Sequence, residues 1–137
     1  MNLEGLKLGQ EFMLGMGVSV LGVLLGDWDT PLRILLILML VDMLSGCYKG
    51  WYTGQFSSRE FRKGLMAKSG FFLVLILAYQ VDVLMANAEP VVRTAVATAY
   101  IVVEATSLLE NLGAIGVPIP EFLTNRLEAL KPKSADK

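Results

Sequence analysis

Three carboxylates stand inside otherwise apolar stretches of this 137-residue chain: Asp42, Asp82 and Glu104. Acidic groups in such surroundings relay protons or cations, bond neighbouring helices together, or line a surface that water reaches. Their spacing to other polar residues narrows the choice. Asp42, Ser45 and Lys49 share one face of a helix. Arg93, Ala97, Tyr100, Glu104, Ser107 and Asn111 advance by alternating steps of four and three, which makes one side of another helix polar along its length. Two readings follow. Either these groups bond to one another within a static bundle, or they give an oligomer a water-lined surface. A rival function is a small proton- or cation-coupled carrier or channel subunit. Against it stand the lack of an internal repeat and of helix pairs broken at matching positions.

Catalysis finds little support. The chain has no histidine and a single cysteine, Cys47, which fits a small apolar filler. It shows no glycine-rich phosphate loop, no nucleophile and base pair and no metal-ligand spacing. The expectation is a protein that is not an enzyme, carries no cofactor or metal, and has no nucleic-acid partner.

The elements that must position the polar residues are membrane helices. Hydrophobic residues make up 54% of the chain and charged ones 18%, with a mean hydropathy of +0.55, which is too apolar for a small soluble domain. Four crossings at about 20 residues each leave no room for a separate soluble core. The nearly uncharged stretches predict spans at about 12–26, 31–48, 69–88 and 91–109, within one integral-membrane domain over 1–137. Asp27-Trp28-Asp29-Thr30-Pro31 predicts a tight turn in which Thr30 caps a helix beginning at Pro31. Asn87-Ala88-Glu89-Pro90 predicts a second such turn, so the spans form two antiparallel hairpins. A polar stretch over 49–68 joins them as a loop with a short amphipathic piece, and a tail over 111–137 contains an amphipathic segment from Glu121 to Leu130. An aspartate at the centre of an inserting helix costs roughly 2.5–3.5 kcal/mol, while about nine Leu, Ile and Val residues around Asp42 return about 0.3–0.6 kcal/mol each. Insertion stays favourable.

Lysine and arginine are distributed unevenly. Lys7, Lys49, Arg59, Arg62, Lys63, Lys68, Arg126, Lys131, Lys133 and Lys137 lie on the side shared by the termini and the middle loop, and only Arg33 and Arg93 lie opposite. The positive-inside rule then places both termini in the cytoplasm, with Arg59, Arg62, Lys63 and Lys68 setting the topology of the middle loop. The first stretch has few cations before it and no small-residue cleavage site after Gly26, so it reads as a span rather than a cleaved leader. It is short and glycine-rich, and a helix lying on the surface is the alternative. Gly15, Ser19, Gly22 and Gly26 are spaced as a small-residue seam where another helix can approach closely, and Gly46 is a further packing position.

Reading on from Glu104 gives Glu104-Ala105-Thr106-Ser107-Leu108-Leu109-Glu110-Asn111, then Gly116-Val117-Pro118-Ile119-Pro120 and an amphipathic tail from Phe122-Leu123. This resembles the phage lysis and toxin secretion holins. Asp42-Met43-Leu44-Ser45-Gly46 is similar to the family's Asp-x-x-x-Gly on its second helix. Ser57-Ser58, Lys63-Gly64 and Lys68 resemble its basic middle loop, and Val81-Asp82 its third helix. The resemblance spans Asp42 to about Leu127. It implies a protein that accumulates in the bacterial cytoplasmic membrane among its lipids and forms a homo-oligomer. Such an assembly opens a lesion that releases a cell-wall hydrolase or an exported toxin. An antiholin, which poisons such assemblies, fits the same sequence.

Overall fold

The computed structural model describes residues 3–130. Five helices follow one another: α1 (Leu3–Leu25), α2 (Thr30–Tyr52), α3 (Ser58–Leu84), α4 (Val91–Ala114) and α5 (Glu121–Leu130). There is no strand among the described residues. Four stretches, Lys7–Leu25, Thr30–Tyr52, Ser58–Leu84 and Val91–Ala114, are long and apolar enough to cross a membrane. Lys131, Lys133 and Lys137 lie outside the described residues.

Several boundaries differ from the sequence expectation, each for a local reason. α1 runs back through Glu11 and Lys7, so a stretch that looked short of a crossing reaches full length. Asp29, not Thr30, caps α2: its carboxylate accepts from the Leu32 N–H at 3.3 Å, leaving Thr30 and Pro31 inside the first turn. The largest change is in the middle. The expected loop over 49–68 contracts to 53–57, because α2 continues to Tyr52 and Ser57 caps α3 by accepting from the Glu60 N–H at 3.4 Å. Arg59, Glu60, Arg62 and Lys63 are straight-chain residues that lose little freedom in a helix, so their polarity marks an amphipathic turn rather than a loop. α3 stops at Leu84, before the expected 88, and α4 continues past 109 to Ala114, where Gly116 at φ +83 turns the chain.

α4 is the hub, packing against α2, α3 and α5, while α1 lies along α3 and, among the described residues, not along α2, with Leu25 at its end reaching the core. The buried core joins Leu25, Leu32, Leu35, Met39, Leu75 and Ala97, with Phe71 and Tyr100 packed against it. Those two rings are stacked with centroids 3.9 Å apart. The outer faces stay apolar, with Phe12, Ile37, Leu44, Leu73 and Leu77 exposed. On a soluble protein that surface would aggregate; here it is the surface that lipid covers.

Gly26 was expected to belong to the seam of α1 but lies beyond its end. At φ +75 its N–H donates to the Gly22 carbonyl at 2.9 Å, and a Cβ there would lie 2.6 Å from Tyr79 Cε2 and 2.7 Å from Arg93 Nη1. Gly26→Ala is therefore expected to lower stability by about 1–3 kcal/mol through backbone strain and steric clash. Nothing lies within 4 Å of a Cβ built at Gly15, so Gly15→Ala should stay within about 0.5 kcal/mol of the parent. Equilibrium unfolding of the two variants in detergent micelles checks the contrast.

Candidate functional site

The polar residues singled out in the sequence gather in two layers at opposite ends of the bundle. At the end bearing the α2–α3 connection, α2 supplies Asp42 and Ser45, α3 supplies Lys68, and α4 supplies Glu104 and Asn111. Lys68 Nζ donates to Asp42 Oδ2 at 3.0 Å and to Glu104 Oε2. Asn111 Nδ2 donates to Asp42 Oδ1 at 3.0 Å and to Ser45 Oγ at 3.1 Å. Ser45 Oγ in turn donates to the Asp42 carbonyl at 2.9 Å. Asp42, Glu104 and Asn111 are buried, and the Lys68 side chain is 12% exposed. Gly46 faces this layer, since a Cβ there would meet Asn111 Nδ2 at 3.5 Å. Two carboxylates thus share one ammonium.

Lys68 corrects the sequence reading. It lies within α3 and not in a loop, and it is the counter-ion of two buried carboxylates on two other helices. A buried carboxylate needs a partner of opposite charge. The usable signal was the spacing Lys68, Leu75, Asp82: seven and seven residues put Lys68 on the face of α3 that enters the core. Arg59, Arg62 and Lys63 are exposed on the first turns of α3, and Lys49 is half-buried near the end of α2.

The second layer lies where the two tight turns meet. Asp82 accepts from the Val92 N–H at 2.9 Å, the Arg93 N–H at 2.8 Å and Asn87 Nδ2 at 2.8 Å. It thereby caps α4, whose own N-cap residue Pro90 makes no side-chain capping bond. Arg93, 1% exposed, donates to the Leu25 and Asp27 carbonyls and pairs with Asp29. Its guanidinium carbon lies 5.4 Å from the Tyr79 ring centroid. One side chain thus ties the ends of α1, α2 and α4.

Between the layers the stripe along α4 is not polar in its contacts. Ala97 is buried in the apolar core and Tyr100 stacks on Phe71. Ser107 is half-buried beyond them. Gly15 and Ser19 are exposed and Gly22 half-buried, with the Ser19 hydroxyl donating to the Gly15 carbonyl at 2.9 Å. Every buried side-chain nitrogen and oxygen among the described residues has a hydrogen-bond partner. Among those residues no three His, Cys, Asp or Glu side chains gather as a metal-binding group. A cavity of about 360 Å³ opens beside the Asp42 layer.

The profile described as the bacteriophage holin family matches residues 19–132, a range that contains both polar layers and α5. An uncharacterized protein of Clostridium perfringens is 38% identical over 123 residues, which cover 87% of this chain and 91% of the relative. An uncharacterized protein of Listeria innocua is 32% identical over 132 residues, 96% of this chain and 91% of its own. The probable holin of Bacillus phage phi105 is 31% identical over 137 residues, 100% of this chain and 92% of its own, so that similarity includes α1. No solved structure matches the chain significantly.

The ion cluster makes a testable stability claim. Lys68→Met leaves two carboxylates buried without their counter-ion and is expected to cost about 3–5 kcal/mol. The exchange Asp42→Lys with Lys68→Asp keeps two carboxylates around one ammonium and should recover a large part of that loss. Unfolding of the single and double variants in mixed micelles measures the recovery.

Proposed function

This chain belongs to the bacteriophage holin family and is a membrane protein, and from that premise we propose that it oligomerises in the bacterial cytoplasmic membrane and opens a lesion there. The cargo is a cell-wall hydrolase in lysis or a toxin in export. Family membership carries this reading. The two polar layers support it, because they give α2 and α4 side chains that can line a wet surface once several copies exchange their internal bonds for bonds across subunits. Asp42, Ser45, Lys49, Asp82, Arg93, Tyr100, Glu104, Ser107 and Asn111 are the proposed lining and oligomer contacts, with the seam at Gly15, Ser19 and Gly22 on the exposed side of α1 as the helix-packing face.

Orientation follows from the charges outside the two buried layers. Lys49, Arg59, Arg62 and Lys63 surround the α2–α3 connection, and Lys7 and Arg126 lie on the same side of a four-crossing chain. The connection and both termini are cytoplasmic in this reading. Trp28 at one end of α2 and Trp51 with Tyr52 at the other suit the two membrane interfaces.

Induced expression alone is expected to depolarise cells and release a folded cytoplasmic enzyme. Growth arrest with the enzyme retained would favour an ion-coupled carrier, and delayed lysis only on co-expression with an active holin would mark an antiholin. Asp42→Leu and Glu104→Leu each leave Lys68 paired with the other carboxylate. Insertion should therefore be intact or improved while the onset or extent of permeabilisation changes; parental lysis by both variants argues against a role in the lesion. Cysteines at positions 2 and 56 in a Cys47→Ser background should both be protected from an impermeant thiol reagent applied outside intact cells. Labelling at 2 but not 56 would place α1 on the surface instead of across the membrane.

A further inference from the structure

The cavity of about 360 Å³ beside the ion cluster has a polar floor and a mouth at the α2–α3 connection. Asp42, Lys68 and Asn111 form the floor, Lys49 and Glu60 stand towards the mouth, and Cys47 lies on the wall. Its depth can be read from α2. Asp42 precedes Trp51 by nine residues, roughly 14 Å at 1.5 Å per residue, which is close to half of an apolar core about 30 Å thick. The floor therefore lies near mid-membrane if Trp51 marks the interface. Beyond it the bundle is sealed by Leu35, Met39, Leu75 and Ala97 with the stacked Phe71 and Tyr100.

Resting on the orientation proposed above, we infer that this cavity is a water-filled vestibule, open to the cytoplasm and closed towards the other side by that apolar layer. Three observations carry this. The volume holds several waters, and the lining supplies the two to four polar partners each one needs. The floor holds the Asp42 carboxylate against the Lys68 ammonium, groups whose burial is costly in a low dielectric unless solvent reaches them. The floor is also not sealed: the Lys68 and Asp42 side chains keep 12% and 10% of their exposure. Half of a transmembrane water path is then built into each monomer. A lesion has only the apolar layer left to breach.

The native cysteine is one probe of this, because thiosulfonate reagents modify thiols quickly only where water ionises them. Met43 lines the cavity, whereas its neighbour Leu44 sits at the same depth on the outer surface, 69% exposed. Rates with a charged, impermeant thiosulfonate are compared for Cys47 in the parent and for Met43→Cys, Leu44→Cys and Gln55→Cys in a Cys47→Ser background. The membranes are inverted and right-side-out vesicles that still retain a trapped small anionic dye of the reagent's size, so no lesion lets the reagent through. The expected result is reaction at 43 and 47 at least 10-fold faster than at 44, in inverted vesicles only, with 55 reacting from the same side. Rates at 43 and 47 as slow as at 44, while 55 reacts, overturn the vestibule. Reaction of 43, 47 and 55 only in right-side-out vesicles overturns its cytoplasmic opening and the orientation together. The lysis assay is a separate measurement, so failure of the holin reading is distinguishable from either outcome.

Discussion

Lys68 between Asp42 and Glu104 is the contact on which the rest of the bundle depends. Inside lipid, helices gain nothing from the hydrophobic effect by packing together, since lipid tails are as apolar as leucine. What holds them is close packing and the need of every buried polar group for a partner. One ammonium on α3 meets carboxylates from α2 and α4, so three helices are joined at a single atom. Asn111 and Ser45 occupy the other Asp42 oxygen and carbonyl, which ties α2 to α4 a second time.

The opposite end solves the same problem in another way. There the charges serve backbone groups: Asp82 accepts N–H bonds of α4, and Arg93 donates to carbonyls at the end of α1 and in the turn after it. Orphaned groups at helix ends are satisfied by buried ions instead of by water. The result is one end where turns and charges interlock and another where ions face a cavity. The apolar layer of Leu35, Met39, Leu75 and Ala97 separates them.

The four apolar helices and their tight turns were legible because length, hydropathy and prolines all point the same way. Lys68 was not, because a hydropathy average groups it with Arg59, Arg62 and Lys63 as one basic stretch, and only helical phase separates the one that turns inward. Gly26 shows the same limit, since its spacing from Gly22 is the same whether it continues a helix seam or ends the helix with a positive φ. Asp29 and Thr30 are both competent caps, and the choice rests on which side chain reaches the Leu32 N–H. For the α4 stripe, periodicity placed Arg93, Ala97, Glu104 and Asn111 on one face as a polar side, and the structure buries all four. It could not say that the stripe divides into two ion clusters around an apolar middle, because that depends on what α2 and α3 place opposite.

Under the proposed function, this division bears on how a closed monomer becomes part of a lesion. Every buried polar side chain among the described residues is already satisfied within one copy, so a lone monomer gains nothing by opening. Parting α3 from α2 and α4 exposes polar groups to lipid unless other copies or water take their place. Under the proposed function, opening is therefore favourable only where several copies meet and their polar faces can be satisfied together, which makes the step cooperative in concentration. The exposed faces of α1 and α2 allow copies to gather before that step, because association through those faces breaks none of the internal bonds.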